Sequence, residues 1–494
     1  MGVLRKLASQ TAVYGLSSIA GRFINYLLVP LYTYSFSPVE YGVVSEFYAY
    51  AGFFSVLLLL GFETGYFRFR EAAIKAGPDL AYSTALIFVL LLNLGFFLLI
   101  EGTAGWLSAA IQYAGHPEYV LWFAMILAMD AASAIPFARL RALNQAFKFA
   151  SIKLLEIMLT VFFSLFFIVY CPKVYQTDPD TWIASVYNPA IGVGYVFIAN
   201  LMASACKFLV LSPQLKGLVW GFDFRLFTRM WRYSWPMVVI GFAGIINEML
   251  DRVLLKYWLP YDAATNLAQL GIYSACYKLS VLMTLFIQAF RYAAEPFFFS
   301  HASQGGSRQV YADVLRCFVI FCVFIFLVVT LFLDFFQFFI GVRFREGLSV
   351  VPVLLMANLF LGIYVNLSVW YKLTDHTGMG AWVAIIGAGL TVLLNIWWIP
   401  LYGYQGSAWA TLICYGFMAL LSYVLGQRYF AVGYPVKRIL AYMALGIVLT
   451  QTYWRAGPFS PWQPWLLASA VLSVYVLTVV LFERRYWLTQ RIVE

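Results

Sequence analysis

The sequence predicts an all-α polytopic membrane protein: about fourteen transmembrane helices, as two pseudo-symmetric six-helix lobes plus two C-terminal helices. Three observations predict it. The 494-residue chain is 63% hydrophobic and 11% charged, whereas soluble domains carry about 25% charged residues. It contains charge-free windows, such as Leu80–Ile100, Thr181–Cys206, Gly347–Tyr371 and Ala456–Phe482. Each meets the ~20 residues that a helix needs to cross the hydrocarbon core. Basic residues also alternate between successive connections, as cytoplasmic retention of Lys and Arg requires.

The predicted spans are 10–34, 41–66, 80–101, 118–137, 151–171, 187–211, 233–258, 267–295, 314–339, 348–371, 378–399, 404–427, 438–454 and 463–482. The first follows Arg5 and Lys6 and continues past Arg22 to Tyr34. That is too long for the apolar region of a signal peptide, so it reads as an uncleaved span. The window Thr377–Gln427 holds two spans, separated by the turn signal Ile399-Pro-Leu-Tyr-Gly-Tyr-Gln-Gly406. With the N-terminus inside, the inner connections collect Arg68, Arg70, Lys75, Arg139, Arg141, Lys148, Lys216, Arg225, Arg229 and Arg232, and further bases after span 8. The outer ones hold only Lys173, Arg343, Arg345 and Arg455. Both termini are therefore expected in the cytoplasm, and the net charge of +10 is topological rather than a nucleic-acid footprint.

A repeat organises the chain. Arg22, Pro30, Gly42, Ser45 and Tyr48 are spaced 8, 12, 3 and 3, and Arg252, Pro260, Gly271, Ser274 and Tyr277 are spaced 8, 11, 3 and 3. Spans 1–2 thus map onto spans 7–8 in the same orientation, related by an axis along the membrane normal. The expected divisions are 1–220, 221–430 and 431–494, the last holding spans 13–14 and a cytoplasmic tail.

Charge within spans marks function, because an intramembrane ion is costly unless it meets water or a partner. Spans 1, 2, 7 and 8 carry most of the charges read here: Arg22, Glu46, Glu63, Glu248, Asp251, Arg252, Lys278, Arg291 and Glu295; Asp130 and Asp334 lie on spans 4 and 9. Arg22 lies ~24 Å of helix from Lys6 and ~12 Å from Pro30. It has no acid three or four residues away, whereas Arg252 has Glu248 one turn earlier. Asp251 and Arg252 point about 100° apart, so they are not expected to pair simply with each other. Glu63 and Arg291 sit near inner ends, where reaching the interface competes with a role inside.

Arg22, Arg252, Lys278 and Arg291 are the candidate substrate-binding residues of a cationic cavity. Such a cavity suits a diphosphate, which arginine binds bidentately. Glu46, Glu63, Glu248, Asp251 and Glu295 are candidates for holding a coupling H+ or Na+, or for balancing the bases. The six cysteines form no CxxC and read as small core residues, and the three histidines carry no metal-ligand spacing. Asp178-Pro-Asp180 is a lone DxD on a short loop and reads as a turn. No catalytic residue, metal or cofactor is expected. The chain lacks a GxxxxGK[ST] phosphate loop, so ATP is not expected to drive it.

Tyr26-Leu-Leu-Val-Pro-Leu-Tyr32, Glu40-Tyr-Gly42, Asn247-Glu-Met-Leu-Asp-Arg252, Gly271-Ile-Tyr-Ser-Ala-Cys-Tyr-Lys278, Ala294-Glu-Pro296 and Ile399-Pro-Leu-Tyr-Gly-Tyr-Gln-Gly-Ser-Ala-Trp-Ala410 occur in that order. Together they resemble the polysaccharide-transporter branch of the multidrug/oligosaccharidyl-lipid/polysaccharide exporter superfamily, the lipid-linked oligosaccharide flippases. The resemblance implies two six-helix lobes around a cavity lined by spans 1, 2, 7 and 8. It implies transfer of an undecaprenyl-diphosphate-linked glycan across the bacterial inner membrane by alternating access. It also implies work beside a polysaccharide polymerase and assembly proteins. Fourteen spans equally resemble the peptidoglycan-precursor flippases. A drug/cation antiporter of the same superfamily is the other alternative; the mid-span bases argue against it.

Overall fold

The computed structural model describes residues 21, 23, 24, 26–75, 79–178, 181–216, 221–301, 307–374, 376–456 and 463–493. Arg22 lies outside them, as do Pro179 and Asp180 of the DxD turn and the side chain of Glu295. Among the described residues there is no strand. Among the same residues, ten helices are long and apolar enough to cross a membrane by length and composition. One of these is broken into two at Gly403. Three further helices, over 26–35, Phe224–Trp258 and Val436–Ala456, bring the set to fourteen, each on a predicted span.

Two compact units divide the chain, Met1–Gly271 and Ile272–Glu494. In the first, α1 (26–35) is followed by α2 (Pro38–Leu59). A capping box starts α2: Ser37 Oγ accepts from the Glu40 amide, and the Ser37 amide donates to Glu40 Oε2 at 2.8 Å. Pro38 supplies the first helical residue, where its missing N–H costs nothing. Leu60 and Gly61 then turn left-handed, with φ of 46° and 71°, and the chain resumes as α3 (Phe62–Lys75). Ser234 Oγ donates to the Gly61 carbonyl exposed by this break, at 3.1 Å.

α4 (Leu80–Ala110), α5 (Pro117–Ala142), α6 (Ala146–Leu165), the short α7 (Cys171–Thr177) and α8 (Gly194–Leu211) complete the first six spans. A five-residue π-helical segment, Phe166–Tyr170, joins α6 to α7. α9 (Phe224–Trp258) returns antiparallel along α2. Glu46 meets Lys256, Gly52 faces Ile245 and Met249, Val56 faces Gly241, and Gly61 faces Ser234. Small residues recur along this seam because a glycine lets two helices approach closely. α10 (Ala263–His301) begins in this unit, capped by Asp262. The Thr265 hydroxyl and amide hold the Asp262 carboxyl below the usual carboxylate range.

The second unit holds the rest of α10, α11 (Ser307–Leu331), the short α12 (Leu333–Phe336), α13 (Val351–Leu367), α14 (Val369–Leu373), α15 (Thr377–Tyr429), α16 (Val436–Ala456) and α17 (Gln463–Val493). The predicted Pro/Gly turn appears as a kink within α15: Gly403 has φ 62° and ψ −146°, open only to glycine. Ser407 Oγ bonds Asn395 Oδ1 across it at 2.8 Å. Replacing Gly403 with Ala should cost about 1–3 kcal/mol of strain, checked as a lower thermal midpoint of the purified protein. Arg316 of α11, fully buried, lies 3.0 Å from Asp313 and 3.4 Å from Glu483 of α17, whose other oxygen accepts from Tyr442 of α16. The last two helices are thereby tied to α11. Cys317 departs from the core reading, since it is exposed on α11.

Candidate functional site

Among the described residues, the first unit buries two charged clusters. Glu46 is completely buried, eight residues into α2. Lys256 of α9 donates to both its oxygens, at 2.9 and 2.8 Å, and to the Ile111 carbonyl at 2.6 Å. Tyr50 and Tyr113 each donate to the same carboxylate at 2.5 Å, and Tyr257 bonds Tyr50 at 3.0 Å. The ammonium lies 4.1 Å from the Tyr113 ring centre. Every lone pair of the carboxylate thus faces a donor, as a buried charge requires.

Arg252 sits one helical turn before Lys256, 7% exposed. Its Nη1 donates to the Glu248 carbonyl at 2.6 Å and lies 3.3 Å from Asp251 Oδ1. This corrects the expectation that Asp251 and Arg252 do not pair. Side chains on a helix lean toward its N-terminus, and the long arginine folds back over Glu248 and Met249 until it reaches the adjacent carboxylate. Glu248 itself is exposed and serves Arg252 through its backbone.

The second cluster joins α5, α6 and α8. Lys207 of α8 is 2% exposed and donates to Asp130 Oδ1 of α5 at 2.5 Å and to Glu156 Oε1 of α6 at 2.6 Å. Ser204 donates to the same Asp130 oxygen at 2.7 Å, and Lys153 to Glu156 Oε2 at 3.1 Å. Lys207 carries little signal in the sequence, because it directly follows the charge-free window ending at Cys206. Lys256 was legible in the sequence, since Glu248, Arg252 and Lys256 recur every four residues on one face of a helix.

The remaining candidates fall elsewhere. Glu63 of α3 pairs with Arg141 of α5, each about one-third exposed. Lys278 is half-buried and Arg291 exposed on α10, in the second unit, Arg291 lying 6.0 Å from the Tyr292 ring. Arg22 and the Glu295 side chain lie outside the described residues.

The repeat itself makes a contact. A Cβ on Gly42 of α2 would stand 2.1 Å from the Leu267 carbonyl oxygen of α10, and a Cβ on Gly271 would stand 2.0 Å from the Pro38 carbonyl oxygen. Advancing Pro38 and Gly42 by 229 residues gives Leu267 and Gly271. The two halves of the contact are therefore exchanged by the repeat, as in an isologous interface. Equivalent helices cross at equivalent glycines.

Residues 7–302 match the sequence model of a family described as "Polysaccharide biosynthesis protein". Among curated proteins, none matches the chain in sequence. Solved structures share the fold. "Lipid II flippase MurJ, inward closed conformation" superposes with a TM-score of 0.72 at 14% identity, over 96% of this chain and 99% of that one. An inward-facing multidrug resistance MATE family transporter of the MOP superfamily gives 0.61 at 14% identity, over 85% and 97%. An outward-facing one gives 0.57 at 13%, over 85% and 95%.

Proposed function

The chain belongs to the polysaccharide biosynthesis protein family, and from that premise we propose that it flips an undecaprenyl-diphosphate-linked oligosaccharide from the inner to the outer leaflet of the bacterial cytoplasmic membrane. The glycan is then used for surface polysaccharide such as O-antigen, capsule or exopolysaccharide. Family and fold are those of membrane transporters.

The observation that carries the reading is an arginine buried within an apolar helix. Arg252 stands six residues before the end of α9, held in place by Asp251 and the Glu248 carbonyl. Its repeat counterpart is Arg22. A guanidinium fixed inside a membrane selects planar, multiply charged oxyanions, and the diphosphate of the lipid carrier is such a group. Lys278 and Arg291 extend the basic set, and both termini face the cytoplasm. Alternating access is driven by an ion gradient, and the polymerase and assembly proteins take the product.

A second reading, transport of the peptidoglycan lipid precursor, is favoured by one observation. The likeness to the lipid II flippase covers 96% of this chain, against 85% for the multidrug transporters. Both substrates present the same diphosphate.

Arg22→Ala and Arg252→Ala should each reduce export about 30-fold or more, the effect of losing a buried charge-assisted contact of ~2 kcal/mol or above. Membrane insertion should be unchanged. Normal surface polysaccharide in both variants would overturn the diphosphate assignment. Collapse of both proton and sodium gradients should stop export; persistence excludes ion coupling.

A further inference from the structure

We propose that Asp130, Glu156 and Lys207 form the station at which this chain takes up its driving ion, that the ion is a proton, and that the Lys207 ammonium occupies the place a sodium ion would otherwise fill. The proposal deepens the transporter reading above and rests on it for the word "driving".

The geometry is that of an occupied cation cage. Nζ of Lys207 is 2.5 Å from Asp130 Oδ1 and 2.6 Å from Glu156 Oε1, on two different helices. These lengths overlap the ~2.3–2.6 Å at which a hard metal ion meets oxygen ligands. Two carboxylates converging on one point repel unless a positive charge stands between them. Here that charge is covalently tethered to α8. With Lys153 on the far oxygen of Glu156, two acids and two lysines balance. A mobile metal ion would bring a charge that the cluster cannot neutralise.

The three groups differ in access. The side chain of Asp130 is 44% exposed, that of Glu156 18% and that of Lys207 2%. Asp130 stands in the middle of α5, between Pro117 and Ala142. A carboxylate exposed at that depth must meet water rather than hydrocarbon. A proton carried by that water reaches Asp130 first. The titratable groups around Asp130 are Lys207 of α8, Glu156 and Lys153 of α6, and Tyr48 of α2. Once Asp130 is neutral, the ammonium stays with Glu156. The ionic link between α5 and α8 is then lost, while that between α6 and α8 is kept. Proton uptake thus becomes a change in which helices are fastened together.

The test uses the purified full-length chain and radiolabelled sodium. The unaltered protein should show no saturable sodium binding that depends on Asp130. Lys207→Met and Lys207→Ala each vacate the cage, and should raise saturable binding about tenfold or more; adding Asp130→Asn should abolish the gain. A purely structural lysine predicts the same gain, so the proton is read directly: potentiometric titration of the unaltered protein should show one more bound proton than that of Asp130→Asn, and equal uptake would overturn the proposal. Lys207→Arg keeps the charge and should bind as little sodium as the unaltered chain. Folded Lys207→Met and Lys207→Ala proteins that bind no sodium would overturn the proposal. So would Asp130-dependent sodium binding by the unaltered chain, a measurement that stands even where neither variant folds. No glycan enters these assays, so their failure is distinct from failure of the substrate reading, which surface polysaccharide in the Arg22 and Arg252 variants decides.

Discussion

Glu46→Gln is expected to lower the stability of the protein by about 3–5 kcal/mol, the cost of stranding a buried charge. Glu46 is fully buried, Lys256 is 3% exposed, and both carboxylate oxygens accept from the ammonium. Glutamine is nearly isosteric but carries no charge and offers one acceptor oxygen. Lys256 would keep the Ile111 carbonyl and the Tyr113 ring, and lose its counter-ion. Tyr50 and Tyr113 would compete for the remaining oxygen. The check is the thermal midpoint of the purified variant, followed by the Glu46→Gln, Lys256→Met double variant. The double should recover most of the loss, because removing both charges removes the desolvation cost as well. An unchanged midpoint in the single variant would refute the buried-pair account.

Gly271→Leu is expected to abolish export while the protein still inserts. The first added carbon would lie 2.0 Å from the Pro38 carbonyl oxygen, and backbone cannot give way as a side chain can. α10 and α2 would have to separate at their crossing, by more than the few tenths of an ångström a packed interface tolerates. Under the alternating-access cycle proposed above, a carrier forced apart at this crossing would be held in one state. Gly42→Leu, against the Leu267 carbonyl, should do the same, because the two contacts are equivalent. Surface polysaccharide in cells, read beside the amount of protein in the membrane, decides it. Normal export from either variant would show that this approach is dispensable.

The helices were legible because their signal is dense. Each needs about twenty apolar residues, and the connections carry charge, Pro or Gly. Even the kink at Gly403 was written in Ile399-Pro-Leu-Tyr-Gly403. The charged clusters were only half legible. Glu46 and Arg252 stood out as acids and bases in apolar surroundings, yet their partners depend on which helices touch, and helix contacts leave little trace in a single sequence. Lys207, Glu156 and Arg316 sit within three turns of a helix end, where a charge reads as reaching for the interface. Packing turned them inward. Asp251 pairs with Arg252 against the expectation because Cβ directions alone point them apart, and an arginine is long enough to bend around them.

Arg316 leaves the ribosome long before Glu483 does. α11 must enter the membrane carrying a guanidinium that the finished structure buries completely, with Asp313 one turn away. Its second carboxylate arrives only with the last helix, ten residues from the end of the described chain. Tyr442 arrives between them and fixes the other oxygen of that carboxylate. The charge of α11 is therefore met partly from its own helix and partly from a helix far along the chain. Removing α17 would take away one of the two carboxylates that face the buried guanidinium, so α17 belongs to the electrostatics of α11 rather than being an outer addition to it.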